Sequence, residues 1–319
     1  MQNKIRPRIL FMGTPDFSAE VLGALIQNNF NIISVYTQGD KKVGRKQILE
    51  KSAVKIVAEK SGIKVFEPKK FDEDAVLELK NQNPDLIIVV AYGKILPKSV
   101  LEIPKYGVIN THPSLLPKYR GASPIQNAIL NGEKETAATI MLISEKVDAG
   151  EILIQEKVEI GEDETYLELS KRLSEISAKL LVKIIPLWTE GKIKSEKQDD
   201  SEATFCQMIK KEDGKINWQD EARAIYNRYR AYVSWPGIFS YFEKDGREVR
   251  LKLGKISLDK NETKNDFEAG KIFLENEKIK VKTGEGNIVL EEVQLEGKNK
   301  TGIPEFVRGY PKFIGSVLK

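Results

Sequence analysis

Arg8-Ile-Leu-Phe-Met12 and Ile32-Ile-Ser-Val-Tyr36, with Phe17, Val21, Leu22, Leu25 and Ile26 between them, form the stretch from which the rest of the chain is read. The two short apolar runs have the length and character of strands, and the apolar residues between them recur at the spacing of one helix face. Strand, helix and strand in that order make a β-α-β unit. Thr14-Pro15-Asp16 suits a helix start, with threonine as cap, proline in the first turn and aspartate at the positive end. Helical patterns over 51–61 and 72–82 follow, and then Leu86-Ile-Ile-Val-Val90. That unbroken apolar run fits a central parallel strand, which is covered on both faces and needs no polar alternation. The expected class is therefore α/β, with a Rossmann-like open, mostly parallel sheet.

Further along, Gly107-Val-Ile-Asn110, 137–143 and 152–160 read as strands, and Leu169, Leu173, Ile176, Leu180 and Ile184 mark a long helix. The first domain is expected to span 1–190. The polar stretch 191–204, with Lys192, Lys194, Glu196, Lys197, Asp199 and Asp200, has no apolar period and reads as an exposed linker. A second domain over 205–319 begins with a helical pattern at 220–232. Short β-like segments follow near 238–243, 247–258, 270–274, 278–283 and 287–295, the spacing of a small β-barrel or sandwich.

Bulk properties narrow the classes. A chain of 319 residues exceeds one ordinary core. No apolar run approaches the roughly 18 residues of a membrane span. The apolar run Ile9–Met12 is too short for the core of a signal peptide, so a cytoplasmic location is expected. The single cysteine, Cys206, forms no internal disulfide, and without a His/Cys cluster no metal is expected. Residues 1–204 carry 29 basic and 29 acidic side chains, against 22 and 18 for 205–319. The whole basic excess thus lies in the second domain, which permits a polyanionic partner. Gly13 alone makes no GxGxxG and no Walker lysine follows, so neither nicotinamide nor ATP is indicated.

His112 is the only histidine. It stands where an apolar strand meets the proline-punctuated loop of Val108-Ile-Asn-Thr-His-Pro-Ser-Leu-Leu-Pro117, which is where α/β active sites lie. If the strand persists that far, Asn110 and His112 share a face, because strand side chains repeat every two residues. Taken alone, a strand-end histidine is more often satisfied by backbone bonds, and the Asp-Ala-Gly of 148–150 is more often a solvated turn.

Together, however, Asn110-Thr-His112, Ser114-Leu-Leu-Pro117 and Val147-Asp148-Ala-Gly150 resemble the signature of the folate-dependent formyltransferases in order and spacing. The resemblance implies a formyltransferase domain using 10-formyltetrahydrofolate as co-substrate, with Asn110, His112 and Asp148 as catalytic residues. It also implies folate-binding loops at Ser114, Leu115, Leu116 and Pro117 and at Tyr92, Gly93, Ile95 and Leu96. Phe11–Phe17, Ala91–Pro97, Arg120–Gln126 and Trp235-Pro-Gly237 further resemble the branch of the family whose acceptor is initiator methionyl-tRNA. That branch has an OB-like C-terminal domain that helps bind tRNA, and a basic insertion at the acceptor end. The insertion maps onto Lys41, Lys42, Arg45 and Lys46. His112 is followed by Pro113, a residue carried by family members acting on small amines. A sugar-nucleotide formyltransferase, a formyltetrahydrofolate hydrolase and a tRNA binder without catalysis stay as alternatives. A monomer is expected.

Each of the three residue types suits such chemistry. Formyl transfer to an amine passes through an oxyanion, which needs a hydrogen-bond donor, a proton shuttle and a group that orients the shuttle. An asparagine amide, an imidazole and a carboxylate supply these in turn.

Overall fold

The computed structural model describes residues 6–43, 47–260 and 266–319. The chain divides into two compact units, one holding 1–124, 135–159 and 169–206 and the other 125–134, 160–168 and 207–319. In chain order the elements up to residue 206 are β1 (Ile9–Gly13), α1 (Asp16–Gln27), β2 (Ile32–Tyr36), β3 (Lys41–Val43), β4 (Ile48–Glu50), α2 (Ala53–Lys60), β5 (Val65–Phe66), α3 (Glu73–Asn81), β6 (Leu86–Val90) and α4 (Lys98–Leu101). Then come β7 (Val108–His112), β8 (Arg120–Gly121), α5 (Pro124–Leu130), β9 (Glu135–Leu142), β10 (Ile152–Glu159), α6 (Tyr166–Thr189) and β11 (Phe205–Cys206).

The first unit is built on a seven-stranded sheet in the order β10-β9-β7-β6-β1-β2-β5. Strands β5, β2, β1, β6 and β7 run parallel, while β9 and β10 add an antiparallel edge. Every residue of β1 and β6 is buried, which explains their unbroken apolar runs. Alternate side chains serve opposite faces. Leu10, Met12, Ile87, Val89 and Val108 join Tyr36, Phe66, Leu79 and Val100 in one core cluster.

The strand order reverses between β1 and β6, and in such sheets ligands bind beyond the carboxyl ends at this reversal. Thr14 lies there and corrects one expectation. Pro15 occupies the N-cap of α1 without a side-chain bond. The Thr14 hydroxyl instead donates to the Tyr92 carbonyl at 3.2 Å and accepts from the Gln38 N–H at 3.4 Å. A tertiary partner has outcompeted the local cap, so this threonine ties together the loops that leave β1, β2 and β6.

The segment 191–204, expected as an exposed linker, is corrected as well. Its side chains are largely exposed, but its backbone is anchored within the first unit. Glu196 and Ile152 exchange backbone bonds of 2.7 and 2.8 Å, and the Thr204 carbonyl accepts from the Arg120 N–H at 2.9 Å. Immediately afterwards β11 pairs in parallel with β8. Polar composition therefore marks an edge that is solvated on its outer side, not a free tether.

The second unit contains α7 (Ala222–Tyr232), β12 (Ile238–Lys244), β13 (Arg247–Leu258), β14 (Ile272–Glu275), β15 (Lys278–Lys282), β16 (Asn287–Leu295), β17 (Thr301–Gly302) and α8 (Ile303–Gly309). The main strands run in the order β12-β13-β16-β15-β14, all antiparallel, and β17 adds to β16. The last residues join the two edges of this sheet. On β14, Ile272 donates to Ser316 at 2.9 Å and accepts from Gly315 at 2.8 Å. On β12, Tyr241 and Lys319 exchange bonds of 2.9 and 3.0 Å. The sheet curls into a half-barrel consistent with the OB-like expectation, and its exposed edges are thereby covered. Helix α8 was not read from the sequence. Among the described residues, no helix is long and apolar enough to cross a membrane.

Leu318, 2% exposed, seals this closing segment. Leu318→Ala is expected to destabilise the protein by about 2–4 kcal/mol in urea unfolding followed by tryptophan fluorescence. An unchanged midpoint would mean that the C-terminal segment lies on the half-barrel without supporting it.

Candidate active site

Strand β7 places Asn110 and His112 two residues apart on one face, as the strand period requires. The third residue arrives from the loop between β9 and β10. Asp148 has a positive φ of 48°, a left-handed conformation that turns its side chain back toward β7. Its two carboxylate oxygens face different partners. Oδ1 lies 3.5 Å from the Asn110 amide nitrogen, and Oδ2 lies 3.6 Å from His112 Nδ1. Oδ2 also accepts from the Gly121 N–H at 2.9 Å. All three residues of the sequence motif therefore converge, although they are separated by up to 38 positions in the chain.

His112 is 4% exposed and its tautomer follows from its partners. Nε2 lies 2.9 Å from the Tyr119 carbonyl, and a carbonyl only accepts, so Nε2 holds a proton. Nδ1 is the nitrogen on the side of Asp148. Tyr119 presents that carbonyl from a left-handed backbone with φ 61°. Its own N–H is bound by the Thr204 hydroxyl at 2.9 Å. The Cys206 thiol donates to the Tyr119 and Arg120 carbonyls at 3.5 and 3.4 Å. Burial, reinforced by the Asp148 charge, pushes that thiol up and keeps it protonated.

Gly150 is required by close approach. A Cβ there would stand 1.7 Å from the Leu142 carbonyl oxygen, at the end of β9. The Asp-Ala-Gly turn is thus pressed directly against the strand that precedes it, and only glycine fits.

The two loops expected to bind folate divide by side chain. In the first, Ser114 and Leu116 are buried, whereas Leu115 and Pro117 are half-buried. The Ser114 hydroxyl donates to the Lys118 carbonyl at 2.7 Å, and the Ser114 carbonyl accepts from Thr139 at 2.7 Å, so this serine shapes the loop from within. In the second, the Tyr92 and Leu96 side chains belong to the core cluster. Burial pushes the Tyr92 phenol up to about 12. Gly93 turns with φ 77°, and Ile95 projects outward, 89% exposed. The Lys94 ammonium donates to the Pro68 and Lys69 carbonyls and so secures this loop. Burial of that lysine pushes it below the ordinary lysine value. Of the four residues expected to bind folate in the second loop, Gly93 and Ile95 are exposed, while the Tyr92 and Leu96 side chains turn inward.

Lys41 and Lys42 do not lie in an irregular loop. They form β3, paired antiparallel with β4 through Lys41 opposite Glu50 and Lys42 opposite Leu49. Both lysines are exposed, as are Ile48 and Leu49 at 58% and 62%. Arg45 and Lys46 lie outside the described residues.

Two residues of this site were given no role by sequence reasoning, Arg120 and Gln198. Arg120 is 3% exposed, and its guanidinium reaches the Gln198 and Asp200 side chains. No periodicity or motif marks Gln198, which sits in a polar run and reads as solvated. Among the described residues, no group of three or more His, Cys, Asp or Glu could hold a metal ion.

Comparison with known proteins gives the family. Residues 7–185 match the formyl transferase family, and residues 208–311 match its C-terminal domain. A methionyl-tRNA formyltransferase of Caldicellulosiruptor saccharolyticus is 45% identical, with 97% of this chain and 99% of that one covered. Another, from Bacillus cytotoxicus, is 42% identical with 98% of both covered. Among solved structures, the N-formyltransferase of Helicobacter canadensis, in complex with folinic acid and dTDP-3-aminofucose, has a TM-score of 0.65 at 21% identity, covering 89% of this chain and 98% of that chain. HypX from Aquifex aeolicus, in complex with tetrahydrofolic acid, has a TM-score of 0.62 at 17% identity, covering 97% of this chain and 48% of that chain. At these identities the two structures speak for the fold. With both family domains matched in order and relatives above 40% identity over nearly the full length, the chain belongs to the formyl transferase family.

Proposed function

We propose that this protein transfers the formyl group of 10-formyltetrahydrofolate to the amino group of methionine on initiator methionyl-tRNA, with Asn110, His112 and Asp148 as its catalytic residues. The observation that carries the reading is the convergence of one amide, one imidazole and one carboxylate at the carboxyl end of β7. The tRNA acceptor follows from the methionyl-tRNA formyltransferases, which the chain resembles over 97% and 98% of its length. Translation places the reaction in the cytoplasm. We take the protein to act as a monomer.

When bound, the folate supplies an activated formyl carbonyl whose oxygen becomes anionic as the amine attacks. Asn110 offers a side-chain N–H to that charge, a kind of contact worth more in a partly dry site than in water. His112 moves the proton through Nδ1, because Nε2 is committed to Tyr119. Whenever Nδ1 is protonated, the Asp148 carboxylate 3.6 Å away bears the counter-charge. The side chains fit a neutral ring system beside this point. Ile95 is exposed, Tyr92 and Leu96 turn into the core, and the second loop presents backbone groups, as ligand pockets with few placed polar groups do. Lys41 and Lys42, exposed on β3, suit the phosphates of the tRNA acceptor end. We assign 1–190 to catalysis and 205–319 to tRNA binding.

The decisive assay offers 10-formyltetrahydrofolate with initiator methionyl-tRNA, elongator methionyl-tRNA and free small amines side by side. Formylation confined to the initiator is the expected result. Folate turnover without tRNA formylation would move the protein to a small-amine transferase or a hydrolase. In the same assay His112→Ala is expected to lower kcat by about 10²–10⁴-fold with folding retained, and survival of a tenth of the activity would sink the role given to His112. Lys41→Glu with Lys42→Glu should raise KM for tRNA, leave KM for folate unchanged and weaken the salt dependence of tRNA binding. Equal loss toward both substrates would remove the hairpin from tRNA recognition.

A further inference from the structure

The Gln198 carboxamide lies between a buried arginine and the loop that carries Asp148. Its Nε2 donates to the Asp148 carbonyl at 2.9 Å and the Gly150 carbonyl at 2.7 Å. Its Oε1 accepts from Arg120 Nε at 3.1 Å and Nη2 at 2.8 Å. Both N–H groups and both acceptor positions of the amide are therefore in use. Arg120 Nη2 is held in addition by Asp200 Oδ1 at 2.7 Å. The next residue, Gly121, donates its N–H to Asp148 Oδ2. Two neighbouring residues, Arg120 and Gly121, thus control Asp148 at both ends. One acts on its side chain directly, and the other acts on its backbone through Gln198.

We propose that Gln198 is a positioning residue for formyl transfer, holding the Asp148 turn so that its carboxylate stays on His112 Nδ1. The proposal rests on the reading of Asn110, His112 and Asp148 as the working groups. The physical need is plain. Asp148 sits in the left-handed region, which an aspartate tolerates but does not prefer. The two carbonyls of its turn have the Gln198 amide as partner, and among the described residues no backbone donor supplies these bonds. Without the amide the turn relaxes, and a carboxylate set at 3.6 Å from Nδ1 has little margin before the contact is lost. Displacements of about 1 Å from productive geometry are enough to cost about 10²-fold in rate.

Gln198→Glu tests this, because it keeps the shape and the Arg120 partner but has no N–H for the two carbonyls. It is expected to lower kcat by about 10–100-fold while KM for both substrates changes by less than about two-fold. On an Asp148→Asn background the same change should lower kcat by less than about two-fold, since the group being aimed is already absent. A second measurement needs no substrate. With one histidine in the chain, the imidazole Cε1–Hε1 signal is unique in a carbon-correlated NMR spectrum. Gln198→Glu should move that signal in the wild-type background and leave it where Asp148→Asn has put it in the double variant. Losses of kcat that multiply across the two backgrounds, as a general weakening of the fold gives, overturn the proposal. So does an imidazole signal unmoved by Gln198→Glu. If the wild type formylates no tRNA but the signal behaves as stated, the positioning role stands and the acceptor assignment alone fails.

Discussion

Asp148 must bring a carboxylate from the β9–β10 loop against the end of β7, and the geometry around it follows from that requirement. A charge that is largely withdrawn from solvent is costly unless donors surround it. Here the donors are the Gly121 N–H on one oxygen and the Asn110 amide on the other, with His112 Nδ1 beside the first. These donors come from β7 and β8, so the carboxylate holds in place the two segments that in turn define it. Removing any one of them leaves the others with an unmet partner, which explains why a site of three side chains draws on a much larger stretch of chain.

The backbone around the site carries strain that has to be offset elsewhere. Ala91, Tyr119 and Asp148 all have positive φ, at 44°, 61° and 48°. Each left-handed non-glycine residue costs of order 1–3 kcal/mol, less for aspartate, which tolerates this region better than most non-glycine residues. Ala91 opens the loop after β6, Tyr119 turns its carbonyl onto His112, and Asp148 turns its side chain onto Asn110 and His112. Strain of this kind persists only when surrounding bonds over-determine it. For Tyr119 the bonds are from Thr204 and Cys206, and for Asp148 they are from Gln198 and Gly121. Hydrogen bonds from the stretch 198–206, together with one from Gly121, thus hold both turns.

What was legible in the sequence and what was not follows from the range of the forces involved. Strands β1, β2 and β6 declare themselves because burial on both faces demands continuous apolar residues, and Asn110 and His112 share a face by strand period alone. Asp148 has no such local signature, and only the spacing of a family motif singled it out. Thr14 misled because a hydroxyl before a helix is a good cap until a tertiary carbonyl, that of Tyr92, offers an alternative. The stretch 191–204 misled for a related reason. Composition reports what side chains face, and these face water, whereas the backbone of Glu196 and Thr204 and the amide of Gln198 face inward. Ser114, Tyr92 and Leu96 were expected at a binding loop, but their side chains shape it from the core side.

The tautomer of His112 constrains how the site can tell an amine from water. With Nε2 tied to Tyr119, Nδ1 is the nitrogen that the proposed mechanism leaves for proton exchange, and an amide and a carboxylate lie beside it. That trio serves any nucleophile that loses a proton on attacking a formyl carbon, so it does not by itself choose between a tRNA amine, a sugar amine and water. Discrimination has to come from groups that bind the acceptor away from the reacting atoms, where binding energy is converted into orientation. On the proposed function, the exposed β3–β4 hairpin, with lysines and aliphatic residues together, and the half-barrel unit, where the basic excess of the chain lies, are the parts assigned to an acceptor as large as tRNA. On the proposed function, the chemistry belongs to the end of β7 and the choice of acceptor to groups away from it.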